Sequence, residues 1–156
     1  MCTRLTFMAV TCDHHGLFLY QKQYIADIID RADMTNCISC PTPIDTKPKL
    51  NASPGTPFEN PTQYRNLVGA LQYITFTRLD ISYAVQQVCL HMHDPHTEHM
   101  SDLKRIIRYL QGTMSHGLFF NKSSVDKLIS YTDADWEAVQ ILEGPLQGIV
   151  SFLGTI

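Results

Sequence analysis

The sequence lacks any apolar run long enough to cross a membrane, and its first residues lack the pattern of a signal peptide. It also lacks an excess of charge of one sign, since the formal net charge is −3 over 156 residues. There is therefore no overall electrostatic reason to expect nucleic-acid binding, which would need a local basic patch. We expect an intracellular, soluble chain of about one domain, whose location is otherwise open.

Several motifs that carry chemistry are also missing. The sequence has no glycine-rich phosphate loop, no G-x-S-x-G elbow and no H-E-x-x-H pair. Its five cysteines are odd in number and not spaced as a disulfide framework. Cys37 and Cys40 form one C-x-x-C, but no second pair follows at the spacing of a zinc ribbon. We expect these thiols to be structural or incidental.

What the sequence does contain is a series of short segments with clear periodicity. Two strands are predicted at 5–10 and 16–20, and a helix follows within 20–34, where apolar residues recur at helical spacing. Residues 35–61 are rich in Pro, Thr, Asn and Ser, which indicates an irregular linker that crosses the surface. We call these residues the linker.

Three helices and two strands are predicted after the linker. The helices span about 62–76, from the N-cap Asp80 to before Pro95, and about 97–111, with Gly112 ending the last. The strands cover 117–120 and 127–135, and a polar stretch separates them. The predicted fold class is α+β, with an N-terminal β-hairpin and helix, three helices and a C-terminal β-hairpin.

Asp133 and Asp135 alternate with an alanine in the last predicted strand, so both carboxylates point to the same side. Two carboxylates at that spacing can hold Mg²⁺, usually with further carboxylates and waters. The alternative is a solvated strand end, which the spacing alone favours.

Lys104, Arg105 and Arg108 lie on one side of the third predicted helix, opposite its apolar stripe. Such a group can grip the phosphates of a nucleic acid. Three cations on an exposed helix face are more often a solvated surface, so both readings stay open. Four histidines also crowd around Pro95, but this proline breaks the helix and leaves no i, i+4 pair intact, so a metal site is not expected. They are His91, His93, His96 and His99.

Five stretches of the sequence stand out together: "GLFLYQKQYIADII" (16–29), "YRNLVGALQYITFTRLDISYAV" (64–85), "HMHDPHTEHMSDLKRIIRYLQGT" (91–113), "GLFF" (117–120) and "YTDADW" (131–136). In their order and spacing they resemble the Pol polyprotein of copia-type retrotransposons. One departure is Leu79, which stands before Asp80 where the family usually has proline.

The resemblance implies a domain assignment. Residues 1–34 would be the tail of the reverse transcriptase palm, 35–61 the linker, 62–113 the thumb and connection helices, and 114–136 the start of RNase H. In this domain assignment, Asp133 matches the first metal-binding carboxylate of RNase H. The resemblance also implies that Lys104, Arg105 and Arg108 could contact a template–primer or RNA–DNA hybrid.

The resemblance also implies Mg²⁺ as the cofactor of the parent family, and it implies what is missing. The Tyr-Val-Asp-Asp-type turn of the palm does not occur in this sequence, and neither do the other carboxylates expected to join Asp133. We therefore expect a catalytically inactive fragment that binds no Mg²⁺ and little or no nucleic acid, with a residual nucleic-acid-binding module as the alternative.

Residues 137–156 do not match the family in the frame as written. Reading each codon's last base with the first two of the next makes residues 138–152 compatible with the family's usual continuation, which includes Arg-Arg-Ser-Thr-Ser-Gly. This predicts a frameshift near Trp136 and a compensating one near Phe152. We expect the strand ending in Asp133 to become a sheet edge with little to pair against, and the tail to pack poorly or form a short adventitious structure.

Overall fold

The computed structural model divides the chain into two compact units, which we describe separately. The first comprises residues 1–13 and 17–120, and the second comprises 14–16 and 121–156. The structure describes residues 2–5, 7–45, 56–122, 129–134 and 147–152.

The first unit opens with three antiparallel strands, β1 (Cys2–Leu5), β2 (Met8–Cys12) and β3 (Gly16–Tyr20). A hairpin of 5–10 with 16–20 was predicted, and the observed hairpin joins β3 to β2, whose bounds are Met8–Cys12. The predicted strand 5–10 is wrong as a single strand, because Leu5 pairs with Met8 across a tight turn. An alternating apolar pattern does not reveal such a turn, since strand periodicity continues on both of its sides.

The strand β4 (Leu118–Asn121) lies next to β3 in the sheet order β1-β2-β3-β4. The prediction that it forms a hairpin with the following strand is therefore wrong. Gly117 makes the observed arrangement possible, because a Cβ at this position would overlap the carbonyl oxygen of Leu19. A residue without a side chain lets the two backbones approach at the start of β4.

Four α-helices follow the local signals in the sequence. They are α1 (Lys22–Arg31), α2 (Pro61–Ile74), α3 (Ser82–Cys89) and α4 (Thr97–Gly112), with a one-turn 3-10 helix (Leu79–Ile81) before α3. The start of α2 shows why the boundaries were predictable. Asn60 accepts a hydrogen bond from the Gln63 amide at 3.0 Å, and Pro61 takes the first helical position, where its missing N–H costs nothing.

The core lies between these helices. α1 packs against α2 and α4, and α3 packs against α2 and α4. Isoleucine, leucine and valine side chains from all four helices are buried there, together with Tyr64, whose hydroxyl donates to the Val88 carbonyl at 2.7 Å. Burial raises the pKa of this phenol well above its usual value. The predicted apolar stripes are therefore the faces that meet in the core.

Two boundary residues have other roles than the sequence suggested. Asp80 was predicted to cap α3, but the residue at that N-cap is Ile81, and the Asp80 side chain binds Arg78 and Tyr109 instead. Gly112 does end α4, but without a left-handed backbone. A Cβ there would lie 2.9 Å from the Cβ of Ser39, so the glycine makes room for the linker.

The second unit contains β5 (Ile129–Ala134) and β6 (Gln147–Phe152), which pair antiparallel over six residues each. The expectation that the strand carrying Asp133 would have little to pair against is therefore wrong. β6 lies within residues 137–156, for which the sequence predicts a shifted reading frame and either poor packing or a short adventitious structure. Residues 135–146 and 153–156 lie outside the described residues.

Candidate functional site

Asp133 lies near the end of β5, where its Cα is paired with that of Gly148 in β6. Its predicted companion Asp135 lies outside the described residues. Among the residues that the structure describes, no group of three or more His, Cys, Asp or Glu side chains could hold a metal ion. The role of Asp133 as a metal-binding carboxylate stays a prediction.

The three cations of α4 do not share one environment. Successive helical residues turn by about 100°, so Lys104, Arg105 and Arg108 occupy one broad sector of the helix. Lys104 is exposed, whereas Arg105 and Arg108 are half-buried. The three residues thus lie on one side of α4, but Lys104 is more exposed than the two arginines.

Arg105 is held by the linker. Its Nη2 donates to the Thr42 hydroxyl at 2.9 Å, and its Nη1 lies 3.6 Å from an Asp45 carboxylate oxygen. The Cys40 thiol donates to the Arg105 carbonyl at 3.3 Å, which adds a third contact between the same two segments. Since an ion pair within the chain already engages this guanidinium, Arg105 differs from the free surface cation that the sequence suggested.

A cavity of about 280 Å³ lies beside this contact, between the linker, α3 and α4. Its polar lining includes His91, His99, Asp102 and Arg105, and apolar side chains of α3 and α4 complete the wall. Two of the four histidines around Pro95 are in direct contact. The rings of His91 and His99 are stacked, with centroids 3.6 Å apart and an interplanar angle of 10°.

The sequence did not indicate a buried polar network around Arg78. This side chain is only 1% exposed, and it donates to both carboxylate oxygens of Asp80 at 2.9 and 2.8 Å. It also donates to the carbonyl and hydroxyl oxygens of Thr113 at 2.8 and 2.7 Å, and it lies 5.6 Å from the ring centroid of Tyr109. The one available signal was an arginine two residues before an aspartate, which is too common to single out.

The electrostatics of this network follow from its hydrogen bonds. Partial burial alone would raise the pKa of Asp80, but hydrogen bonds from Arg78 and Tyr109 and the charge of Arg78 outweigh it. The pKa of Asp80 is therefore held below its usual value. The same contacts work the other way on Tyr109, whose pKa is raised by burial and by its hydrogen bond to Asp80. The network joins the start of α3 to the end of α4.

Most of the chain aligns with Pol polyproteins of plant transposons and with a plant mitochondrial protein. It is 44% identical over 139 residues to the retrovirus-related Pol polyprotein from transposon RE1 of Arabidopsis thaliana, covering 89% of the chain and 10% of that protein. It is 46% identical over 121 residues to the Pol polyprotein from transposon RE2 of the same plant, covering 78% of the chain and 8% of that protein. An uncharacterized mitochondrial protein of Arabidopsis thaliana is 40% identical over 151 residues, or 95% of the chain and 62% of that protein.

These alignments define the class as retrovirus-related Pol polyproteins from transposons, and the chain belongs to that family. It spans about a tenth of the length of the two Pol polyproteins, so it corresponds to one segment of such a protein. No family model matches the chain, and no solved structure does. Within the described residues, no helix is both long and apolar enough to cross a membrane.

Proposed function

We propose that the chain is a segment of a copia-type retrotransposon polyprotein that runs from the end of reverse transcriptase into the start of RNase H. The observation that carries this proposal is the ordered set of matching stretches over 16–136, together with 44% and 46% identity to two Pol polyproteins. In this assignment β1 to β3 and α1 are the tail of the palm, and α2 to α4 are the thumb and connection helices. β5 opens the RNase H domain.

The segment carries no polymerase or nuclease activity by itself. Both reactions of the parent family need Mg²⁺ held by several carboxylates. The sequence has no Asp-Asp turn for the first site. It supplies Asp133 for the second, without the further carboxylates that would complete the ligand set. The donor atoms therefore do not fit the metal centre of either enzyme.

Primer extension and cleavage of an RNA–DNA hybrid in the presence of Mg²⁺ test this proposal. The purified 156-residue chain should be inactive in both assays, and Asp133→Ala should behave as the unaltered chain does. Hybrid cleavage that depends on Mg²⁺ and disappears in Asp133→Ala would overturn the proposal. A reverse transcriptase with its complete RNase H domain, assayed on the same substrates, shows that the assays work.

A second candidate function is residual binding of nucleic acid by α4. The observation that favours it is the exposed side chain of Lys104, which shares one side of α4 with the half-buried Arg108. Arg105 contributes less because Asp45 and Thr42 hold its guanidinium. With a net charge of −3, we expect weak binding that requires low salt.

Salt-dependent binding to an RNA–DNA duplex tests this second candidate. Two phosphate contacts give a slope of log K against log salt of about −1.8. Lys104→Ala with Arg108→Ala should flatten that slope, whereas Lys22→Ala, which removes an exposed cation from α1, should leave it unchanged. Equal losses in both variants would show that the binding is not localised on α4, and an absence of binding at low salt would exclude the function.

We further propose that residues 137–152 arose by a frameshift in a coding sequence of this family. The support is the codon compatibility of residues 138–152 with the usual continuation of the family. Sequencing the locus and its transcript is the test. The hypothesis requires that the shifted frame encode the run Arg-Arg-Ser-Thr-Ser-Gly, and any other translation refutes it.

A further inference from the structure

Three histidines meet where α4 begins. The rings of His91 and His99 are stacked with centroids 3.6 Å apart, and the ring of His96 meets His99 edge-on at 5.4 Å. We call His91, His96 and His99 the histidine clasp. Their proximity does not follow from one helix, since His91 lies just after α3 and His96 precedes α4.

The hydrogen bond inside the clasp fixes a protonation state. The His96 backbone N–H donates to Nδ1 of His99 at 3.0 Å. His96 is the N-cap residue of α4 and His99 is the third residue of that helix, so His99 fills the place that Glu or Gln takes in a capping box. Nδ1 can accept only while it carries no proton. A proton there would set two donors against each other and remove the cap.

The capped turn also holds the far end of the linker. Residues Pro57 and His96 form an antiparallel bridge. The Phe58 amide donates to the Pro95 carbonyl at 2.9 Å, and the Thr97 amide donates to the Thr56 carbonyl at 3.0 Å. These bonds depend on the extended backbone of His96, so the cap and the bridge share one residue.

The charges around His99 disfavour its protonation. Burial lowers the pKa of this imidazole first, and the neighbouring His91 and His96 lower it further. Glu98 and Asp102 on α4 act in the opposite direction without cancelling the effect. The wall of the adjoining cavity adds Arg105 from α4 and Asp45 from the linker. Outside this set, an Asp94 carboxylate oxygen lies 3.9 Å from Nε2 of His96.

We propose that the histidine clasp is a pH-sensitive latch, in which protonation of His99 at Nδ1 removes the cap of α4 and releases residues 56–58 from 95–97. This device is independent of the proposed function, since it rests on the geometry of the clasp.

The direction of the pH dependence follows from the lowered pKa of His99. The unfolded chain takes up this proton near pH 6.5, the ordinary value, while the folded chain takes it up only at lower pH. The stabilisation by the clasp is therefore complete above about pH 6.5 and is lost as the pH falls through the folded-state pKa.

Amide hydrogen exchange and side-chain ¹⁵N NMR of the whole chain between pH 7.5 and 5.0 test the latch. Protection of the His96, Thr97 and Phe58 amides, corrected for intrinsic exchange, should fall about fivefold relative to amides of α1, the factor expected for losing one N-cap. In His99→Gln the amide oxygen keeps the cap without titrating, so protection should be independent of pH. His93→Gln, which alters an exposed histidine outside the clasp, should behave as the unaltered chain does.

The ¹⁵N shifts of His99 keep the proposal testable even where a variant folds poorly. They should show an unprotonated Nδ1 at pH 7.5, with protonation and the loss of Thr97 and Phe58 protection sharing one midpoint. A proton on Nδ1 at pH 7.5 would overturn the proposal. So would separate midpoints, or the same loss of protection in His99→Gln.

Discussion

Removing the carboxylate of Asp80 should strongly destabilise the first unit, which contains the four helices, because the change leaves Arg78 charged and buried. Arg78 is 1% exposed, and a guanidinium cannot lose its proton to escape burial. In the native chain two of its nitrogens donate to Asp80. After Asp80→Ala, its partners in the network are the two Thr113 oxygens and the ring face of Tyr109.

The expected loss in the free energy of unfolding follows from leaving the buried charge of Arg78 without its carboxylate partner. Removing one partner of a buried ion pair costs about 3–5 kcal/mol, since the other charge is left uncompensated. We expect about 3 kcal/mol for Asp80→Ala, at the lower end because Thr113 still accepts two hydrogen bonds and because Asp80, at 39% exposed, is partly screened by solvent. Asp80→Asn keeps the shape and one acceptor oxygen, so it should cost about 1–2 kcal/mol.

Urea unfolding followed by circular dichroism at pH 7 measures this loss. With a slope of about 2 kcal/mol per M, a loss of 3 kcal/mol lowers the midpoint by about 1.5 M. Asp27→Ala is a matched control, because it removes an exposed carboxylate from α1 that accepts a hydrogen bond only from Gln23 among the bonds described. A loss below about 1 kcal/mol for Asp80→Ala would refute the reasoning.

Two further measurements separate the ion pair from simple loss of packing. In Arg78→Met with Asp80→Ala no charge remains buried, so the double change should cost clearly less than the sum of the single changes. The pKa of Asp80 is held below 3.8, so its contribution should persist above that pH and disappear as acid protonates the folded state. Additive costs, or a difference between the chain and Asp80→Ala that does not change with acid, would contradict the assignment.

Three smaller changes test local features of the helices by the same unfolding measurement. Leu79→Pro should stabilise by about 0.4–1 kcal/mol, because Leu79 is exposed and opens the 3-10 helix, where proline restricts the unfolded chain; destabilisation would show that the family's proline does not fit here. Asp33→Gly should stabilise by about 0.5–1 kcal/mol, because Asp33 has φ 55° where α1 ends, and no gain would show that the aspartate is unstrained. Gly112→Ala should destabilise by about 1–3 kcal/mol and recover with Ser39→Gly, since the new Cβ meets Ser39 at 2.9 Å; no recovery would place the clash elsewhere.

The helices were predictable because their signals are local. The i, i+3, i+4 spacing around Leu67 and Leu71 in α2 identifies a buried stripe without any knowledge of what covers it. Pro95 was expected to set the end of the second predicted helix, since proline disrupts a helix, but α3 already ends at Cys89. The predicted and observed bounds of α2 and α4 therefore differ by one or two residues, whereas α3 is shorter than predicted at both ends.

Strand pairing was less predictable because it is not local. Period-2 patterning shows that 117–120 can be a strand, but it does not show whether the partner follows or lies a hundred residues upstream. The sequence placed this strand with the one after it, and the structure places it beside β3. The sterically required Gly117 was visible in the sequence, but the carbonyl of Leu19 that requires it was not.

The same distinction explains the candidate site. Helical spacing correctly placed Lys104, Arg105 and Arg108 on one side of α4, but it could not show that Asp45, sixty residues earlier, pairs with one of them. The ion pair between Asp45 and Arg105 lowers the positive charge that this side of α4 can offer to a phosphate. A phosphate that recruits Arg105 must first displace a carboxylate, whereas Lys104 needs only to lose water. The electrostatic case for binding by α4 therefore depends on two cations, and its strength depends on how firmly the linker holds the third.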